Sequence, residues 1–426
     1  MNLGLRRIGI CVTLVLLACI ACSSSGYEIG KARVDGNKVG GEIAYELSVN
    51  NLTFSPDGRH LVFDFHEFAF EKRRISRSRI SIGLYNLKDE TVTIIDPPVD
   101  PETGFDWHSP SFDPTGRKLV MVTSCITTKC SDQIYGTQIG ILDLDNDKFS
   151  WITDARDKTY MWNYGYSPRG LRRSSFPDFG RSNVRGYPIF SADGKRIYHM
   201  MSAGAKGSII FYMQFDAEYW LNVIELKGPA AGEDSSLLSY QDDAVIFKGD
   251  GRLSLAGNNR LIFSGWRGFG PSIDELDKRQ PSAFIYDMGD DELSVAFDKN
   301  NTPLDSRFPA VSQYRLRSIS ASNNESRIAA LSGKGDVVSL IDDGNFQSLL
   351  KAEDMGIDRF EQVVISGDGQ QLVAVPRQKP FEPDDKFLEP NDIWLKDLNS
   401  GDWMSLPLKK TLRNAIDALN SAERTQ

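Results

Sequence analysis

Short apolar runs separated by clusters of turn-forming residues recur along this chain from about residue 45 to residue 408. Leu61-Val62-Phe63, Leu119-Val120-Met121, Leu261-Ile262-Phe263 and Leu372-Val373-Ala374 are continuous rather than alternating. A continuous run predicts a strand covered on both faces, because alternation is the mark of a strand with one wet face. Each run follows the same kind of turn. Phe54 to Phe63 reads F-S-P-D-G-R-H-L-V-F, Phe112 to Met121 reads F-D-P-T-G-R-K-L-V-M, and Phe190 to His199 reads F-S-A-D-G-K-R-I-Y-H. Three looser copies end at Phe263, Ala330 and Ala374. In Ser55-Pro56-Asp57-Gly58 the proline presets φ, the aspartate suits the next position, and the glycine supplies the left-handed residue that closes a three-residue hairpin loop. Gly116, Gly194 and Gly369 repeat that glycine, while Asn258 and Glu325 stand at its place in copies four and five.

A second hairpin follows each first one. Ile82 to Leu87 leads to Thr91 to Ile95, Ile139 to Leu144 leads to Phe149 to Ile152, and Ile393 to Leu398 leads to Trp403 to Leu406. Two hairpins make a four-stranded antiparallel sheet, and self-similar sheets at intervals along a chain are the mark of a propeller. Of the steps of 58, 78, 64, 67 and 44 residues between turns, all but the last exceed the roughly 40–50 residues a blade needs, so most blades carry insertions. The expectation is an all-β, six-bladed propeller over residues 45–408, with a loop insertion at 154–186. Five or seven blades are the alternatives, since copies four and five are loose and Glu218 to Ile246 has room for extra strands. Leu412, Ile416 and Leu419 then fall at helical spacing, which predicts a short amphipathic helix over 409–426.

These repeats resemble the TolB-type propeller repeat, whose signature is Pro-x-Phe/Trp-Ser-Pro-Asp-Gly-Lys-x-Ile-x-Phe. Pro110-Ser111-Phe112 and Pro188-Ile189-Phe190 supply the leading proline in copies two and three. The resemblance implies the fold and leaves function open, because this repeat serves envelope scaffolds, accessory domains of peptidases and carbohydrate-active enzymes. The N-terminal domain that TolB itself carries before its propeller has no counterpart in the sequence.

Composition adds an address. Arg6-Arg7 precede an apolar stretch, Ile8 to Ala21, which is too short to span a bilayer comfortably and has the form of a secretory leader. It ends Leu17-Ala18-Cys19-Ile20-Ala21-Cys22-Ser23-Ser24-Ser25-Gly26. That ending resembles a bacterial lipoprotein signal, in which residues 1–21 are removed and Cys22 is acylated, with Cys19 as the alternative and 22–44 as tether and entry segment. Ser24, rather than aspartate, at the second position after Cys22 implies the outer membrane, facing the periplasm or the cell surface. An ordinary cleaved secretory peptide is the plainer reading. Net charge is −9, and a chain without Arg6 and Arg7 would carry −11, which argues against nucleic acid as a partner.

Beyond the leader only Cys125 and Cys130 remain, and export with an even count points to a disulfide across a small loop. Free thiols and a metal site are the other readings. The four histidines, His60, His66, His108 and His199, give no paired metal spacing with these cysteines.

Two segments are candidate partner surfaces. Residues 67–82 hold the basic run with Arg73 and Arg74, suited to an anionic partner or to a solvated hairpin tip. The 154–186 insertion carries Tyr160, Trp162, Tyr164 and Tyr166 among Arg169, Arg172 and Arg173, the residue types enriched where proteins bind one another and suited to stacking on sugars. Asp143 to Asp147 imitates a calcium loop but lacks its glycine and distal glutamate, so it reads as a turn. Neither a nucleophile elbow nor a phosphate-binding loop is present, and no cofactor, metal or catalytic residue is expected. His66-Glu67 and Asp106-Trp107-His108 put acid beside imidazole, a weak signal for catalysis. The expectation is a lipid-anchored, noncatalytic scaffold that binds an envelope protein. Alternatives are a carbohydrate-binding or carbohydrate-cleaving surface lipoprotein, and a subunit working through the ring's central channel.

Overall fold

The computed structural model describes residues 44–71, 74–96, 106–124, 138–153, 184–203, 218–227, 234–238, 245–246, 253–257, 259–267, 281–290, 292–295, 317–324, 327–340, 346–377 and 393–425. Within them the chain builds six antiparallel sheets in sequence order. Blade 1 holds β1 (Ala44–Phe54), β2 (His60–Glu71), β3 (Arg74–Asn86) and β4 (Thr91–Ile95). Blade 2 holds β5 (Asp106–Phe112), β6 (Lys118–Ser124), β7 (Gln138–Asp143) and β8 (Lys148–Trp151). Blade 3 follows with β9 (Val184–Phe190), β10 (Arg196–Ala203), β11 (Glu218–Glu225) and β12 (Asp234–Leu238). In blade 4 the first strand is split into β13 (Val245–Ile246) and β14 (Leu253–Ala256), both paired with β15 (Arg260–Arg267), and β16 (Pro281–Asp287) and β17 (Glu292–Val295) complete the sheet. Blade 5 holds β18 (Arg317–Ala321), β19 (Ile328–Leu331), β20 (Val337–Leu340) and β21 (Phe346–Leu350), and blade 6 holds β22 (Phe360–Ile365), β23 (Gln371–Pro376), β24 (Ile393–Asp397) and β25 (Trp403–Leu406). A single helix, α1 (Leu408–Thr425), ends the described chain.

The first strands of neighbouring blades touch one another around the ring, and β1 meets β22 to close it. The six-bladed expectation is therefore met, and the alternatives of five or seven blades are removed. Glu218 to Ile246 holds the outer half of blade 3 and the start of blade 4. The apolar runs lie between adjacent blades: Leu61, Val62, Phe63, Leu119, Val120, Met121, Leu372, Val373 and Ala374 are all buried.

The repeated turn works as its residues imply. Gly58, Gly116, Gly194 and Gly369 have φ between +67° and +74°. In blade 4 the left-handed residue found is Gly257, one position before Asn258, which lies outside the described residues. A hydroxyl–carboxylate bond closes each loop: Ser55 Oγ donates to Asp57 Oδ1 at 2.6 Å, Ser191 to Asp193 at 2.7 Å and Ser366 to Asp368 at 2.6 Å. The same Oγ accepts the amide that opens the next strand, at 2.9 Å from His60 and 2.9 Å from Gln371. Blade 2 exchanges the two roles, with Thr115 Oγ1 donating to Asp113 Oδ2 at 2.6 Å and the Lys118 amide donating to Asp113 Oδ1 at 2.8 Å. The loose fifth copy keeps the device too, Ser322 Oγ donating to Asn324 Oδ1 at 2.8 Å.

Candidate functional site

Four innermost strands carry one extra residue near their middle, at Asn51, Ser109, Tyr187 and Ser318 in blades 1, 2, 3 and 5. These four non-glycine residues take left-handed φ values of 51°, 52°, 50° and 40°. Such conformations cost about 1 kcal/mol or more each and persist only where surrounding structure fixes them. β22 also gains a residue, between Phe360 and Gln362. In blade 4 the longer insertion 247–252 occupies the same place and splits the strand. A bulge bends a strand and sharpens its twist. Repeated around the ring, it turns the inner edges so that their backbone groups meet the neighbouring blade.

Those meetings are specific. Thr53 Oγ1 donates to the Pro110 carbonyl at 3.3 Å, the Ala321 amide to Ser254 Oγ at 3.0 Å, the Val363 amide to Ser318 Oγ at 3.1 Å and the Ile365 amide to Ser320 Oγ at 3.1 Å. Gln362 makes a two-point contact across the seam between last and first blade. Its Nε2 donates to the Leu52 carbonyl at 2.7 Å, and its Oε1 accepts the Leu52 amide at 3.1 Å. Edge groups so engaged do not offer a ladder to an incoming strand. The channel opens as a cavity of about 320 Å³ lined by all six first strands, Phe54, Phe112 and Phe190 among the lining residues.

Asp64 occupies the seam between blades 1 and 2. It is wholly buried, yet its Oδ2 accepts from Asn51 Nδ2 at 2.6 Å and from the Ser109 amide at 2.7 Å, while His66 Nε2 stands 3.4 Å from Oδ1. Burial alone would raise its pKa. The His66 hydrogen bond and the charges of His66 and His108 outweigh burial and hold the carboxyl below the ordinary carboxylate value. The acid–imidazole neighbours noted along the sequence are thus joined differently: Asp64, inside an apolar run, gathers His66 of its own blade and His108 of the next. All its donors come from the two blades it joins, so the geometry is that of a strut.

The ring has two unlike ends. Where first strands turn into second and third into fourth, connections are short, none longer than 226–233. Asp143 to Asp147 is one of them, a turn in which Asp143 Oδ1 accepts the Asp145 and Asn146 amides at 3.1 and 3.2 Å. Where second strands pass to third and one blade passes to the next, three connections are short (72–73, 239–244 and 332–336), but all those longer than 226–233 are here: 97–105, 125–137, 154–183, 204–217, 268–280, 296–316, 351–359 and 378–392. From this end β2 and β3 run furthest: β2 has 12 residues against 7 in β6, about 16 Å of additional strand. Arg74 pairs with Glu71 at the tip of this hairpin.

The basic hairpin and the 154–186 insertion both connect strands at this second end. Arg73, Cys125, Cys130, Tyr160, Trp162, Tyr164, Tyr166, Arg169, Arg172 and Arg173, with Cys19 and Cys22 of the leader, lie outside the described residues, as does the side chain of Arg74. Among the described residues no group of His, Cys, Asp and Glu forms a metal site, and no helix is long and apolar enough to cross a membrane.

Fold and site define a six-bladed β-propeller with only short turns at one end and all its long connections at the other. No protein-family model and no curated protein sequence matches the chain. Solved structures similar in overall trace include an oligogalacturonate lyase in complex with manganese, with TM-score 0.44 and 11% identity, over 87% of this chain and 81% of that one. A Pyrococcus horikoshii acylaminoacyl peptidase matches with TM-score 0.44 and 12% identity, over 84% of this chain and 46% of the peptidase. An Agrobacterium tumefaciens protein assigned as TolB matches with TM-score 0.42 and 12% identity, over 76% of this chain and 87% of that one. Proteins this distant share a ring and little else, and their activities do not transfer.

Proposed function

We propose that this propeller is a lipid-anchored, noncatalytic docking platform of the bacterial envelope, holding a protein partner on its long-connection end. The observation that carries the reading is the asymmetry of the ring. Inner edges are tied to one another and one end is finished with tight turns, whereas the basic hairpin and the Tyr/Trp/Arg-rich 154–186 insertion both leave from the other end. Binding residues are disproportionately found on loops held by a rigid scaffold. Cys22 would supply the anchor, since two or more acyl chains give stable membrane attachment where one gives only marginal binding.

Two measurements test this. Metabolic labelling with an alkyne fatty acid should tag the wild-type chain, and Cys22→Ser should lose the tag and move the protein from membrane to soluble fraction. A tag retained by Cys22→Ser and lost in Cys19→Ser moves the anchor to Cys19; no tag on any form removes the anchor from the proposal. A glycan array and a lyase and hydrolase screen address the carbohydrate alternative, and turnover of any glycan would overturn the noncatalytic reading.

A further inference from the structure

We infer that α1 is a separable clasp that latches the propeller shut, and that the groove it fills between the first and last blades is a docking site for an amphipathic helix. Every blade is built from consecutive strands, so no strand is shared across the seam where β1 meets β22. The ring is therefore closed there by noncovalent contacts alone. Two of these are visible at the inner edge, the paired bonds between the Gln362 amide and the Leu52 backbone at 2.7 and 3.1 Å. At the outer side the helix takes over. It packs on β4 and β1 of the first blade although it follows directly from β25 of the last. Leu408, Leu412 and Ile416 are wholly buried, and they join one hydrophobic cluster with Leu47, Val49 and Phe65 of blade 1 and Val375, Leu395 and Leu406 of blade 6. These anchors stand at i, i+4 and i+8, a single stripe along the helix, which is how a helix is read by a groove. Leu419, one turn further on, is 39% exposed, so the stripe ends within the groove.

A latch differs from an ordinary core element because releasing it loosens one seam and leaves the other blades closed. Hydrogen exchange by mass spectrometry on the full chain carrying Leu412→Ala and Ile416→Ala reads this directly. Exchange in β1, β22 and the helix should rise at least tenfold, while β6, β10 and β15 keep wild-type rates. A synthetic peptide of residues 407–426, added at increasing concentration, should restore protection to β1 and β22. Gln362→Ala should speed exchange in β1 and β22 while the helix stays protected. The proposal is overturned if the helix alone loosens, if all blades lose protection together, or if the peptide leaves β1 and β22 unprotected. Should the double variant not fold, Leu412→Ala alone is read in the same way. A chain that cannot fold with that single change also overturns the proposal, because a latch is separable from the fold it closes.

Discussion

At the scale of single residues, the turn between first and second strands is a two-part lock whose parts can be exchanged. Ser55 and Asp57 hold blade 1 as donor and acceptor, and Asp113 and Thr115 hold blade 2 with the order reversed. Thr115→Ala or Asp113→Ala should each lower stability by about 1–2 kcal/mol, the usual cost of a lost hydrogen bond with a partner left unmade. Asp113→Ser with Thr115→Asp rebuilds the blade 1 arrangement and should recover most of the loss in a urea titration. Additive losses in the double variant would contradict the lock. Acid should open these turns. Hydrogen bonds from Ser191 and the Lys195 amide hold Asp193 down to about 2, and Asp57 in the matching turn of blade 1 also lies below the ordinary carboxylate value. A carboxylate with its folded pKa depressed stabilises the fold above its unfolded value near 3.8 and loses that contribution as pH falls toward 2. Urea midpoints should therefore drop between pH 4 and 2, and Asp193→Asn should show a shallower drop than wild type. Much of this scale was legible: the turn glycines and the buried runs follow from residue type alone. Asp64 was not, because it sits inside the apolar run Leu61 to Phe65 and its partners come from another blade. The bulge was also hidden, since Asn51, Ser109, Tyr187 and Ser318 share no residue type that announces a left-handed backbone.

At the scale of elements, close packing between strands is set by small residues opposite large ones. Gly83 on β3 lies opposite Phe63 on β2, and a Cβ at residue 83 would collide with that ring. Gly83→Ala should cost about 1–3 kcal/mol through overpacking, read as a lower denaturation midpoint with unchanged slope. Gly83→Ala combined with Phe63→Leu should recover part of it. The C-terminal helix shows where periodicity reads well and where it stops. Its spacing pointed to Leu412, Ile416 and Leu419, and two of those three are buried. Leu408 serves as the first anchor in place of Leu419, a choice made by the groove between two blades rather than by the helix. Gln362 and Leu52 stand 310 residues apart, and nothing local in either segment marks the bond between them.

At the scale of the whole molecule, the sequence specified a ring but left its two ends indistinguishable until the strands were ordered. Insertions were visible as long steps between turns, yet only the strand directions show that they gather at one end. That gathering is the account's central claim, and site-specific photocrosslinking in living cells tests it most directly. A photoreactive amino acid placed at Trp162 or Arg73 reports on the long-connection end, and one at Asp89 or Asn399 reports on the short-turn end. The account predicts one discrete protein adduct from positions 162 and 73 and none from positions 89 and 399. Equal adducts from both ends, or adducts from positions 89 and 399 alone, would contradict it.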